Sequence, residues 1–170
     1  ASWRSATPPD APNRFVINIQ PDQVEAFQHT LREAGVTGFD WYPMSRARLV
    51  AVNGKTVQPK DHTEERAQRL LDREFNLSHA ARAPSHNTVV SGRYLPEEPG
   101  AYSVEEGLAK TLGLKLGDRL RFDMAGHVEE GRITSLRKVD WSSMRVNFFV
   151  MAPSRQMPAW PVSHITAFRM

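Results

Sequence analysis

The pattern of hydrophobic and polar positions opens with a β-rich run, Phe15-Val16-Ile17-Asn18-Ile19, bounded by turn-forming residues, which predicts a strand. The period then changes. Val24, Phe27, Leu31 and Ala34 recur at helical spacing, Pro21 suits the first position of that helix, and Gly35 suits its end. Arg48-Leu49-Val50-Ala51-Val52 predicts a second strand, closed by the strong turn signal Asn53-Gly54. The stretch from Thr56 to His62 is polar and loop-like. From Glu64 onward, Ala67, Leu70, Leu71 and Phe75 fall on one face of a second helix. Asn87 to Val90 predicts a short strand, and Pro96, Pro99 and Gly100 a loop.

A third helix follows. Ser103 and Glu106 have capping-box spacing, Val104, Leu108 and Leu112 form an apolar stripe, and Gly113 can end it. Leu120 and Phe122 alternate with Arg119, Arg121 and Asp123, as in a half-buried strand, and Ala125-Gly126 suits a hairpin turn. Residues 128–139 continue as a strand of mixed polarity. Val146 to Met151 is strongly β-forming, and His164 to Arg169 predicts the last strand. The expected fold is α+β, with a mixed, mostly antiparallel sheet and three main helices. Residues 1–13, rich in Pro, Ser and Ala, read as a linker, and 14–170 as one domain of two lobes. Lobe A is expected at about 14–59 with 134–170, and an inserted lobe B at about 60–133.

Composition narrows the class. The 170 residues are 40% hydrophobic and 24% charged, as in a globular protein. No run reaches the roughly 18 apolar residues of a membrane-spanning helix. The opening ASWRSATPPDAPN carries no apolar core of a signal peptide, so export would depend on a segment outside this one. The net charge of +3 is carried by dispersed Lys and Arg, which argues against a dedicated nucleic-acid arm. There is no cysteine, so disulfides, thiolate nucleophiles and Cys-ligated zinc are excluded.

Catalytic constellations do not emerge. His29, His62, His79, His86, His127 and His164 form no pair that would set two imidazoles on one helix face. There is no Gly-x-Ser-x-Gly elbow and no Ser-x-x-Lys. Gly113-Leu114-Lys115-Leu116-Gly117 lacks the Gly-Lys-Ser/Thr ending of a phosphate loop. The paired carboxylates Glu64/Glu65, Glu97/Glu98, Glu105/Glu106 and Glu129/Glu130 are adjacent in sequence, a spacing that on a helix sends them in different directions. No catalytic residue, cofactor or metal site is expected. The most unusual stretch runs from Ser135 to Pro153 and sets Trp141, Met144, Phe148 and Phe149 among Arg137, Lys138 and Arg145. Three readings fit it: a core strand with an amphipathic lead-in, a base-stacking sheet, or a contact surface for a protein or lipid. The candidate contact residues are Arg137, Asp140, Trp141, Met144, Arg145 and Phe148. A free-standing envelope hydrolase, built from distant Ser, His and Asp residues, and a nucleic-acid-binding module are the alternative functions.

Several blocks carry a family resemblance. They are residues 8–19 (PPDAPNRFVINI), 42–54 (YPMSRARLVAVNG), 73–78 (REFNLS), 103–118 (SVEEGLAKTLGLKLGD), 135–149 (SLRKVDWSSMRVNFF) and 165–169 (ITAFR). In this order they resemble the periplasmic loops of FtsX/MacB-like ABC transporter permeases, and most of all the second large loop of YbbP-type permeases. The 103–118 block is shared by many MacB-like domains, and the 135–149 block is more specific. The resemblance implies a MacB-like periplasmic domain of an inner-membrane permease, working with a cytoplasmic ABC ATPase and with the permease's other periplasmic loop. It implies ATP-driven movement of a lipid-like or hydrophobic substrate, a periplasmic esterase or thioesterase as a candidate partner, and no catalytic residues in this loop.

Overall fold

The computed structural model describes residues 11–36 and 38–170. Residues 1–10, most of the expected linker, lie outside the described residues. In chain order the elements begin with β1 (Arg14–Ile19), α1 (Val24–Glu33), β2 (Asp40–Val52), β3 (Lys55–Thr56), α2 (Glu65–Leu71) and β4 (Phe75–His79). They continue with β5 (Asn87–Gly92), β6 (Ala101–Glu105), α3 (Glu106–Leu112), β7 (Arg119–Met124), β8 (His127–Val139), β9 (Val150–Ala152) and β10 (Ser163–Phe168). The chain divides into two compact units. The first holds the described residues up to Met44, with Asp140–Asn147 and Val162–Met170, and the second holds Ser45–Val139 and Phe148–Pro161.

The expected α+β fold with a mostly antiparallel sheet is corrected by the strand pairing. Strand accounts for 41% of the described residues against 21% helix, so the protein is mostly β. In the second unit six strands close a barrel in the order β2, β4, β9, β6, β8, β7 and back to β2. The β4/β9 and β6/β8 pairs are parallel, and the other four are antiparallel. Closure leaves these strands no open edge on the ring. The barrel strands are closely packed: Leu77, Val104, Leu120, Phe122, Met124, Ile133, Val150 and Met151 are all at 1% exposure or less.

Three short strands account for the difference. All five residues of β6 are buried, so no alternation marks it as a strand. Ser103 lies inside that strand rather than at a helix start, and α3 is capped instead by Glu105, whose carboxylate accepts from the amides of Gly107 and Leu108 at 2.8 and 2.7 Å. Phe75, expected on the second helix, begins β4, where four of five residues are buried. β9 is three residues long, where a longer strand over Val146 to Met151 was expected. The turn signals fared better. Asn53-Gly54 and Ala125-Gly126 both sit at positive φ, at 53° and 80° and at 54° and 92°, and each closes an antiparallel hairpin.

The first unit is a three-stranded antiparallel sheet, β1–β10–β2, formed with residues Asp40–Met44 of β2. Helix α1 covers one face. Leu31, Val36 and Phe168 form its buried core, with Val16, Phe27, Phe39 and Trp41 packed against them. The Trp41 indole donates to His164 Nδ1 at 3.2 Å, which ties the two strands together beneath the helix. An extra residue in β1 between Val16 and Ile19, with Asn18 at φ 60°, makes a bulge that bends the edge strand.

Candidate contact surface

The 135–149 stretch begins in the barrel. Arg137 is fully buried, and its guanidinium makes five hydrogen bonds. Nε donates to Ser103 Oγ at 2.8 Å, and one terminal nitrogen donates to Asn87 Oδ1. The other donates to the carbonyls of Ser103, Phe148 and Phe149, at 3.3, 2.9 and 3.2 Å. Ser135 Oγ adds a hydrogen bond to the same Ser103 hydroxyl at 2.7 Å. The fork thus joins β8, β6, β5 and the segment entering β9. Burial pushes Arg137 down to about 10, with the charges of Tyr94 and Glu105 acting in the opposite direction. Phe148 is buried too. These two members of the candidate surface face inward and hold the barrel.

The other four lie in the first unit. Asp140 caps a single 3₁₀ turn, Trp141–Ser143, by accepting from the Ser142 amide at 3.1 Å. Met144 ends the turn in the left-handed region at φ 60°. Trp141 and Met144 are 53% and 49% exposed, so this turn displays apolar surface rather than hiding it. Arg145 then forks onto Asp40 of β2, with contacts of 3.1 and 2.5 Å. Burial raises the Tyr42 hydroxyl above its ordinary value; the Asp40 charge adds to that and Arg145 opposes it.

Strand register extends this surface to two residues that the sequence reading did not single out. Asp40 pairs with Ala167 and Ala167 with Phe15, so all three side chains share the face opposite α1. Ile17 shares it by alternation, and Phe15 and Ile17 are 52% and 49% exposed. The signal was present in Phe15-Val16-Ile17: three consecutive apolar residues on a strand put apolar side chains on both faces, and α1 can cover only one. The sheet therefore carries a half-open apolar face beside the Arg145–Asp40 pair.

No family model matches the chain. Over nearly its whole length, however, the chain is similar in sequence to a segment of an ABC transporter permease, as the quoted blocks lead one to expect. The relative is the uncharacterized ABC transporter permease YbbP of Escherichia coli (strain K12), 41% identical over 169 residues, which is 98% of this chain. The chain spans only 20% of that protein, so the similarity is to one domain-sized part of it. Among solved structures, a domain from Porphyromonas gingivalis assigned to a permease protein aligns over 84% of this chain and 65% of its own, with a TM-score of 0.44 and 15% identity.

Proposed function

We propose that this chain is the periplasmic domain of an inner-membrane ABC transporter permease, a non-catalytic module that relays motion and engages a partner or substrate during ATP-driven export or extraction. The observation that carries the reading is the 41% identity across 98% of this chain to part of a permease. The substrate class is lipid-like or hydrophobic. The cytoplasmic ATPase acts through the remainder of the permease, whose membrane-spanning segments would lie outside this chain. The permease's other periplasmic loop and a periplasmic esterase or thioesterase are the proposed neighbours.

Two physical features support a mechanical role. A closed barrel with saturated strand pairing is a stiff body that transmits displacement rather than absorbing it. The exposed Trp141 and Met144, and Phe15 and Ile17 on the smaller sheet, offer aromatic, Met and aliphatic surface of the kind enriched at interface cores. No helix of the described residues is long and apolar enough to cross a membrane.

The test uses the full-length permease with its ATPase. Trp141→Ala with Met144→Ala is expected to lower transport or partner capture at least ~10-fold, the loss of about 1.4 kcal/mol, while the protein stays folded and membrane-inserted. Unchanged transport and partner capture would remove the contact surface from the proposal. Recovery of the native protein as a soluble species of this chain's own size, rather than in the inner-membrane fraction, would end the permease reading.

A further inference from the structure

The barrel unit carries a pocket unrelated to the 135–149 stretch. It has a volume of about 320 Å³, within the range of small-ligand sites. Glu97, Glu98, Glu129 and Glu130 line it, and no basic side chain does. Ala152, Met157 and Pro99 supply apolar wall. Tyr102 is also in the lining. It is 3% exposed, and its hydroxyl has no hydrogen-bond partner among the described residues. The ring is buried while Tyr102 lines the pocket, so the hydroxyl, unpartnered within the protein, is within reach of a ligand there.

The ring is held in place from two sides. Phe122 meets it edge-on, with centroids 5.5 Å apart. On the other side it lies flush against Gly131, where a Cβ would come within 2.7 Å of Cε2 and 3.0 Å of Cζ. Gly131 follows Glu130 on β8, so the hydroxyl end of the ring reaches the carboxylate side of the pocket. Burial, and then the charges of Glu129 and Glu130, raise the Tyr102 hydroxyl well above its ordinary value, so it stays protonated.

The carboxylates differ in what they already bind. Glu97 accepts from Ser154 Oγ at 3.0 Å and from the Arg155 amide at 3.1 and 3.3 Å. Glu129 meets His127 at 2.6 Å, and Glu130 pairs with Arg121 at 3.0 Å. The side chain of Glu98 is half-buried and has no partner among the described residues. Arg119 and Arg132 line the adjoining surface with Glu98 and Glu130, but within the pocket itself the only charged lining groups are the four carboxylates, beside the Tyr102 phenol and an apolar wall.

We propose that this pocket binds an organic cation, an alkylammonium or guanidinium group on an apolar stem. Its charge would meet Glu98 and the rim carboxylates, its N–H groups would donate to the Tyr102 oxygen, and its stem would lie along Ala152 and Met157. A metal ion fits less well. No group of three or more His, Asp or Glu side chains among the described residues could hold one, and a hydrated ion gains nothing from the apolar wall. The inference stands independently of the permease reading, because it rests on the barrel unit's own residues.

The experiment is an NMR titration of the 170-residue chain with agmatine. Its comparison ligands are pentan-1-ol as a neutral stem, magnesium as a bare charge, and the blocked peptide Gly-Arg-Gly as the same cation carried on a polypeptide. Agmatine is expected to shift the Gly100 and Gly131 amides saturably, and less at high salt. Glu98→Gln, a part-exposed change that leaves the fold intact, is expected to weaken binding about 5-fold, and Tyr102→Phe by a similar factor with the ring retained. Binding of the blocked peptide as well would assign the cation to a polypeptide partner, whereas binding of agmatine alone would assign it to a free small molecule. Equal binding of pentan-1-ol, magnesium displacing agmatine at the same concentration, or agmatine shifts indifferent to both substitutions would each overturn the proposal.

Discussion

Arg137 in the barrel and Arg145 on the smaller sheet lie on one basic–aromatic stretch, yet they do opposite work. Arg137 is sealed from water and spends its donors on neutral oxygens: a hydroxyl, a side-chain amide and three backbone carbonyls. Arg145 stays partly exposed and forks onto a single carboxylate, Asp40. One guanidinium ties together β5, β6, β8 and the β9 lead-in. The other pins a surface turn that displays Trp141 and Met144. The same residue type is thus structural in a closed ring and positional at an open sheet face, and burial makes the difference.

The largest break in that comparison comes from Arg137. Replacing it with Met fills much of the volume but strands the buried oxygens it served, and is expected to cost ~3–5 kcal/mol, read as a lower urea midpoint. Arg137→Lys cannot reproduce the fork, because an ammonium is a point donor, and is expected to recover less than half of the loss. A midpoint within experimental error of the parent for Arg137→Met would show that the fork contributes nothing. Ser103→Ala removes the hydroxyl that accepts from both Arg137 and Ser135, and is expected to cost ~1–3 kcal/mol.

These two sites also show what the sequence could and could not convey. The first helix, the Gly113 stop and both hairpin turns were legible, because they depend on local spacing and on residues that tolerate positive φ. The barrel was not. Its closure depends on β4, β6 and β9, short strands that are almost wholly buried and so carry no period of two. Ser103 and Glu106 mimicked a capping box because Glu105 does the capping from the last residue of a strand. The contact surface was half legible. Trp141 and Met144 stand out as apolar residues among charges, but nothing local distinguishes an arginine that points inward from one that points outward. Phe15 and Ile17 needed the sheet register before their face could be known.

A pH series sharpens the contrast on the barrel side. Burial lowers His79 below its usual value, against the opposing carbonyls of Ser154 and Arg155 and the charge of Glu97. A histidine depressed in the folded state stabilises the fold above its unfolded value of about 6.5, and that contribution is lost as pH falls through the lower folded value. The barrel's stability is therefore expected to decline as pH falls below about 6.5, and His79→Phe is expected to flatten the decline. The tyrosines give the mirror case. Tyr42 and Tyr102 are both raised, so their contribution is intact below about pH 10 and is lost as pH rises above it. An acid limb unchanged by His79→Phe would assign the decline to other groups.

On the open sheet the effects shrink. Arg145→Ala removes an ion pair whose arginine is 34% exposed, and is expected to cost no more than about 1 kcal/mol, with much of that screened by salt. Trp141→Ala and Met144→Ala should fall within about 0.5 kcal/mol of the parent, because each side chain is already about half in water. This smallest effect discriminates most. Selection for folding alone has little reason to keep a tryptophan and a methionine on a capped surface turn held beside Asp40. If they serve a partner, the double variant separates the two properties, with an unchanged unfolding midpoint and a lost interaction in the full-length permease. If instead the stability falls by several kcal/mol, the turn is part of the fold's own packing, and the comparison between inward and outward arginines collapses into one continuous structural stretch.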